Sequence, residues 1–170
     1  MELPSSQNYV IDNIENYPMY AISTNKELSF KNLCGIIRFS LKSEENEQVK
    51  ISSISLSADK GMSGVFSIDN DNAAVVSGND GVVLKCSEIV TINANTTTDF
   101  NIVIPKGEYN PLKVKICDAN GKEINLVSES TITVRRSEIT RITLTLSKST
   151  FETSLETIPI SDSNVDFTER

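Results

Sequence analysis

The chain has 170 residues, a formal charge of −7, and neither His nor Trp. That acidity argues against nucleic acid, which needs clustered Lys and Arg for its phosphates, and against adsorption to anionic lipid. The missing imidazole removes the usual general base near neutral pH, and with it most catalytic triads, zinc sites and proton shuttles.

Residues 1–26 lack sustained periodicity, contain Pro4, Pro18 and several Asn, and read as an extended lead-in with one pairing segment at 9–11. Residues 27–42 form the first strong strand. Gly35, Ile37, Phe39 and Leu41 share one face; Ile36, Arg38 and Ser40 share the other. An acidic turn follows at 44–47. Residues 49–57 alternate again, and the parity shift between Ile51 and Ile54 predicts a bulge near Ser52 and Ser53. Residues 59–61 turn into a strand at 62–68, and 69–72 read as a loop.

Two short apolar runs come next, at 73–76 and 82–86, and the Asp80-Gly81 dipeptide between them predicts a hairpin turn. Residues 89–92 make another short strand. Phe100, Ile102 and Ile104 alternate up to Pro105, then Leu112, Val114 and Ile116. Asn120-Gly121 asks for the positive φ of a tight hairpin. Strands at 124–134 and 139–146 complete the set, the latter with Ile142, Leu144 and Leu146 on one face. The remainder, 149–170, is acidic and rich in Ser and Thr, and reads as a linker or as a loosely held strand. No window shows helical periodicity, and strand-sized segments at this spacing predict an all-β sandwich or barrel of mostly antiparallel strands. The expected division is a lead-in over 1–26, a β-sandwich over 27–148 and a polar tail or linker over 149–170.

Candidate chemistry is sparse. Most Asp and Glu fall in expected turns, where carboxylates are solvated, so no catalytic pair is assigned. Asp69, Asn70, Asp71 and Asn72, with Asp80 nearby, offer oxygen ligands. However, Ala74 stands where an EF-hand needs Gly and Asp80 where it needs Glu, so no metal site is assigned. Cys34, Cys86 and Cys117 have no CxxC spacing and no His to act as base; they read as small apolar groups, a Cys34–Cys86 disulfide being the alternative. Gly61 to Gly64 lacks the Gly-Lys-Ser/Thr ending of a phosphate loop. Arg135 and Arg136 read as a solvated hairpin turn, or more sharply as a protease-sensitive site. No catalytic, cofactor-binding or metal residue is assigned, no cofactor is expected, and the chain reads as a non-enzyme. No stretch approaches the ~20 apolar residues of a membrane span, and residues 1–18 lack the basic start and apolar middle of a signal peptide.

The order of segments carries a resemblance. PMYAIS at 18–23 precedes LSFKNLCGIIRFSLK at 28–42, VKISSISLSA at 49–58, MSGVFSID at 62–69 and VVLKC at 82–86. FNIVIPKGEY at 100–109, VKICDANGK at 114–122 and ITVRRSEITRITL at 132–144 follow. Over residues 18–147 this series resembles the N-terminal domain of the fimbrillin-like surface proteins of Bacteroidetes. The resemblance implies a transthyretin-like β-sandwich, a lipid anchor in the precursor, and display at the cell surface, on the outer membrane or in a fimbrium. It also implies a role in pilus assembly or adhesion, with other pilin or surface subunits, or a second copy, as partners. The alternative is a carbohydrate-binding or scaffold module of a surface polysaccharide-capture system, with Tyr9, Tyr17, Tyr20 and Tyr109 as candidate sugar platforms. The lead-in is expected to be dispensable for folding and needed for docking.

Overall fold

The computed structural model describes residues 1–69, 72–152 and 157–169. In chain order the strands are β1 (Glu2–Leu3), β2 (Ser6–Asn8), β3 (Met19–Tyr20), β4 (Lys31–Asn32), β5 (Cys34–Ser43) and β6 (Gln48–Ser57). Next come β7 (Ser63–Asp69), β8 (Asn72–Asn79), β9 (Gly81–Asn93), β10 (Thr98–Pro105), β11 (Gly107–Tyr109) and β12 (Lys113–Asp118). The last are β13 (Glu123–Ser128), β14 (Ile132–Val134), β15 (Glu138–Leu146), the short helix α1 (Lys148–Glu152), β16 (Thr157–Ile160) and β17 (Val165–Glu169).

Two sheets form the sandwich. The larger runs β16-β13-β12-β6-β9-β2 and the smaller β10-β5-β15-β17. Most pairs are antiparallel; β5–β15, β2–β9 and β13–β16 are parallel. Alternation explains the core. Ile37, Phe39 and Leu41 of β5 and Phe100, Ile102 and Ile104 of β10 meet Ile51, Ile54 and Leu56 of β6 and Val114 and Ile116 of β12 in one buried cluster. The smaller sheet also buries part of its outer face. Ile36, Val103 and Ile139 lie under Leu3, Phe66 and Ala73, which come from a third sheet ordered β1-β7-β8. β5 is therefore covered on both sides, and reads as a nearly continuous apolar run for that reason.

The expected all-β sandwich of mostly antiparallel strands is present, with the bulge at its expected place: the β6–β9 register shifts between Ile51 and Ser53. Asn120-Gly121 does turn a hairpin, β12 to β13, with Gly121 at φ 79°. Other placements need correction. β8 pairs with β7 and β9 with β6, so Asp80-Gly81 turns no hairpin. There the Asp80 carbonyl accepts from Ala58 N–H (3.0 Å) and the Asn79 carbonyl from Met62 N–H (2.9 Å), and the chain passes from one sheet to another. The run at 124–134 divides into β13 and β14, which belong to different sheets; 82–86 and 89–92 merge into β9. Arg135 and Arg136 likewise link strands of different sheets. The early pairing segments are 2–3, 6–8 and 19–20; of 9–11, only Tyr9 bonds to a strand, extending the second ladder by one bond.

Candidate functional site: the covered strand edges

An open sheet ends in unpaired N–H and C=O groups, and the outer strands of this sandwich come mostly from the ends of the chain. At one edge of the larger sheet β2 runs parallel to β9, with Val83 N–H donating to Ser5 O and Tyr9 N–H to Lys85 O, each at 2.8 Å. Gln7, in the middle of β2, is only 2% exposed. Its side chain crosses to the smaller sheet: Nε2 donates to Val103 O at 2.7 Å, and Val103 N–H donates to Oε1 at 3.0 Å. Those are the two bonds that a neighbouring strand would give β10. One carboxamide thus takes the place of a strand there, and the same three-residue segment covers an edge of each sheet.

The opposite edges are covered by the other end of the chain. β16 pairs parallel with β13, from Asn125 opposite Thr157 to Ser128 opposite Ile160. β17 pairs antiparallel with β15. Between them, Ser130 Oγ donates to the Asp162 carboxylate and Asn164 Nδ2 to Thr143 O at 3.1 Å. Phe151 and Ile160 are buried anchors, at 3% and 1% exposure. Segments read from sequence as a lead-in and a polar tail both pair with the sandwich. Gln7 carried no sequence signal, being a lone amide in a polar stretch.

The candidates weighed in the sequence fall as follows. Tyr109 is fully buried and donates to Pro105 O at 2.6 Å, and Tyr20 is buried. Tyr9 packs on Phe100 with ring centroids 4.8 Å apart, and the half-buried Tyr17 donates to Cys34 O. Two of the four tyrosines are thus buried, and the other two are half-buried against their neighbours. All three cysteines are free. Burial pushes the Cys34 thiol up to about 12 and Cys86 up to about 11, the opposite of an activated nucleophile. Arg136 donates to the Tyr20 hydroxyl, Arg135 pairs with Glu138 at 3.4 Å, and Ser137 N–H donates to Cys34 O; the linker holding the two arginines is tied down on each side. Asn70 and Asp71 of the calcium candidate lie outside the described residues. Among the described residues there is no cluster of metal-ligating side chains, and no helix long and apolar enough to cross a membrane.

No family model matches the chain, and no curated protein matches it. Solved structures do. A Bacteroides ovatus protein named "putative cell adhesion protein" superposes with TM-score 0.51 at 10% identity, over 84% of this chain and 45% of that one. A Bacteroides uniformis protein of the same description gives TM-score 0.46 at 9% identity, over 84% of this chain and 51% of that one. The likeness to the first is one of fold, and the chain spans about half the length of either protein.

Proposed function

We propose that this chain is a fimbrillin-like module of a cell-surface protein, non-enzymatic, which serves adhesion or pilus assembly through its strand edges. The observation that carries this reading is that three of the four outer strands of the two sheets, β2, β16 and β17, come from the ends of the chain, and the fourth, β10, is bonded at Val103 by Gln7 of β2. A terminal strand can leave its own sheet and take the same place in a neighbour's. The backbone bonds are identical within and between chains, so the exchange is near-neutral in energy and controlled by release. Partners are then other surface subunits or a second copy, with the precursor lipid-anchored at the outer membrane. The ordered series of sequence motifs and the fold shared with the B. ovatus protein support this reading.

Cysteines at Asn125 and Thr157, opposite each other in β13 and β16, test the assembly step. In a background with Cys34, Cys86 and Cys117 replaced, oxidation at high protein concentration should give a ladder of linked chains. A product linked only within single chains would remove strand exchange from the proposal.

A further inference from the structure

We infer that one end of the sandwich carries a binding cleft for an anionic oligosaccharide, held by Lys50 and Lys148. This adds a ligand to the adhesion reading and does not depend on strand exchange. The start of β6, the β12–β13 turn and α1 converge there around a cavity of about 450 Å³. A second cavity of about 510 Å³ adjoins it, sharing Gln48 and Lys148, so the two form an elongated cleft of oligomer dimensions.

Three lysines on one cavity stand out in a chain with 16 cationic and 23 acidic residues. The two carboxylates beside them are engaged by backbone. Asp118 Oδ1 accepts from Asn120 N–H and Lys122 N–H, both at 2.8 Å, and Glu47 Oε2 accepts from Lys148 N–H at 2.8 Å. Neither Lys50 nor Lys148 has a carboxylate partner among the described residues.

The rest of the polar lining is amide. Gln48 Nε2 donates to Asn93 Oδ1 at 2.9 Å, which fixes the pair where the two cavities meet and leaves Gln48 Oε1 and Asn93 Nδ2 for a ligand. An amide that both donates and accepts matches a sugar hydroxyl. An acidic peptide fits less well. Extended peptides usually add to a long free strand edge. At this cleft Gln48 to Lys50 of β6 pair with β9, and on the other side Lys50 O already accepts from Ala119 N–H at 2.9 Å, which leaves too short an edge for an added strand. Phe151, at the cavity wall, is buried and cannot stack on a sugar ring. Recognition therefore rests on charge, and binding depends on salt.

Calorimetry on the full chain tests the site, with a short oligogalacturonate and a short chondroitin sulfate as carboxylate and sulfate probes. At least one should bind, and the methyl-esterified oligogalacturonate should not. Affinity should fall as ionic strength rises from about 0.01 M to about 0.15 M, where the Debye length shrinks from about 30 Å to about 8 Å. The double variant Lys50→Gln/Lys148→Gln should bind about tenfold more weakly, roughly two rim charge interactions. Both side chains are exposed, so its thermal midpoint should be unchanged. Lys113→Gln, on β12 but outside the cleft, should bind as the parent does. Failure of both probes, equal binding of the methyl ester, or affinity unmoved by the double variant would overturn the site. Equal binding of a short poly-glutamate would overturn its assignment to oligosaccharide. None of these results bears on the cross-linking test of strand exchange.

Discussion

Both ends of the chain finish as edge strands and both carry buried apolar anchors, but only the N-terminal end adds a buried side-chain bond across to the other sheet. At the N-terminus Leu3 is fully buried among Ile36, Phe66 and Val103, Tyr20 is buried nearby, and Gln7 is bonded to β10 from within the sandwich. At the C-terminus Thr157 of β16 and Asp166 of β17 face solvent, Phe151 and Ile160 are buried in the main core, and Ile158 and Val165 are only half-buried against it. Pairing through backbone alone can be exchanged for the same pairing elsewhere, whereas a buried side chain must first be pulled out of packed surroundings. In the proposed strand exchange the C-terminal strands would therefore be the ones to move, with the N-terminal strands as a closure.

The largest expected effect comes from deleting each end in turn. Removal of residues 1–26 takes Leu3 and Tyr20 from the outer cluster and exposes β9 and β10 together; the cooperative urea transition should be lost. Removal of residues 157–170 should leave a cooperative transition at a lower midpoint. The expectation of a dispensable lead-in is replaced by its opposite, because the sequence of 1–26 conceals how deeply Leu3 and Gln7 are buried. At the scale of single side chains, Leu3→Ala should cost about 2–5 kcal/mol, in the range of core truncations. Val165→Ala on the half-buried start of β17 should cost about 1 kcal/mol or less. If the two variants unfold at the same denaturant concentration, the contrast between the ends fails.

Gln7 narrows the comparison to one group. Gln7→Leu keeps the approximate volume and removes both bonds to Val103, leaving a buried N–H and C=O without partners. The expected loss is about 1–3 kcal/mol, with hydrogen exchange at the Val103 amide accelerating. Unchanged protection at Val103 would show that water or a neighbouring group replaces the carboxamide, and that Gln7 does not serve as a strand substitute.

The interior strands were legible because each carries its own signal. In β12 the alternation of apolar residues is local and burial follows it, while β5 and the end of β10 are buried on both faces and carry their signal as near-continuous apolar runs. Turn dipeptides gave the bend without the partner. Asn120-Gly121 and Asp80-Gly81 look alike in sequence, yet only the first joins paired strands, since what the second connects is decided by contacts with residues 58–62. The covers were legible only in outline, as a pairing segment misplaced to 9–11 and a tail that could be a loosely held strand. β2 contains no apolar residue, and the burial of Gln7 depends on a main chain 96 positions away. β16 is short and holds Pro159, which reads as a break unless the strand lies at an edge. The lysine cleft is hidden in the same way, because Lys50, Lys122 and Lys148 meet only after β6, the β12–β13 turn and α1 have been brought to one end.

The smallest effect is read at alkaline pH and probes how well the N-terminal closure excludes water. Cys34 belongs to the outer cluster with Leu3 and Tyr20, and burial pushes its thiol from an ordinary 9.0 up to about 12. A raised thiol pKa means that the folded chain keeps a proton which the unfolded chain releases. Below pH 9 both states hold it and nothing is contributed. Between pH 9 and about 12 the unfolded state binds fewer protons, so stability falls as pH rises. Cys86, pushed up to about 11, and Tyr109, also raised by burial, act in the same direction. Cys34→Ala removes one of these titrations, so its urea midpoint should decline less steeply than the parent's from pH 9 towards pH 11. Parallel declines would mean that the Cys34 thiol titrates as it does in the unfolded chain. Solvent would then reach it beneath Leu3, and the N-terminal end would be no more tightly closed than the C-terminal one.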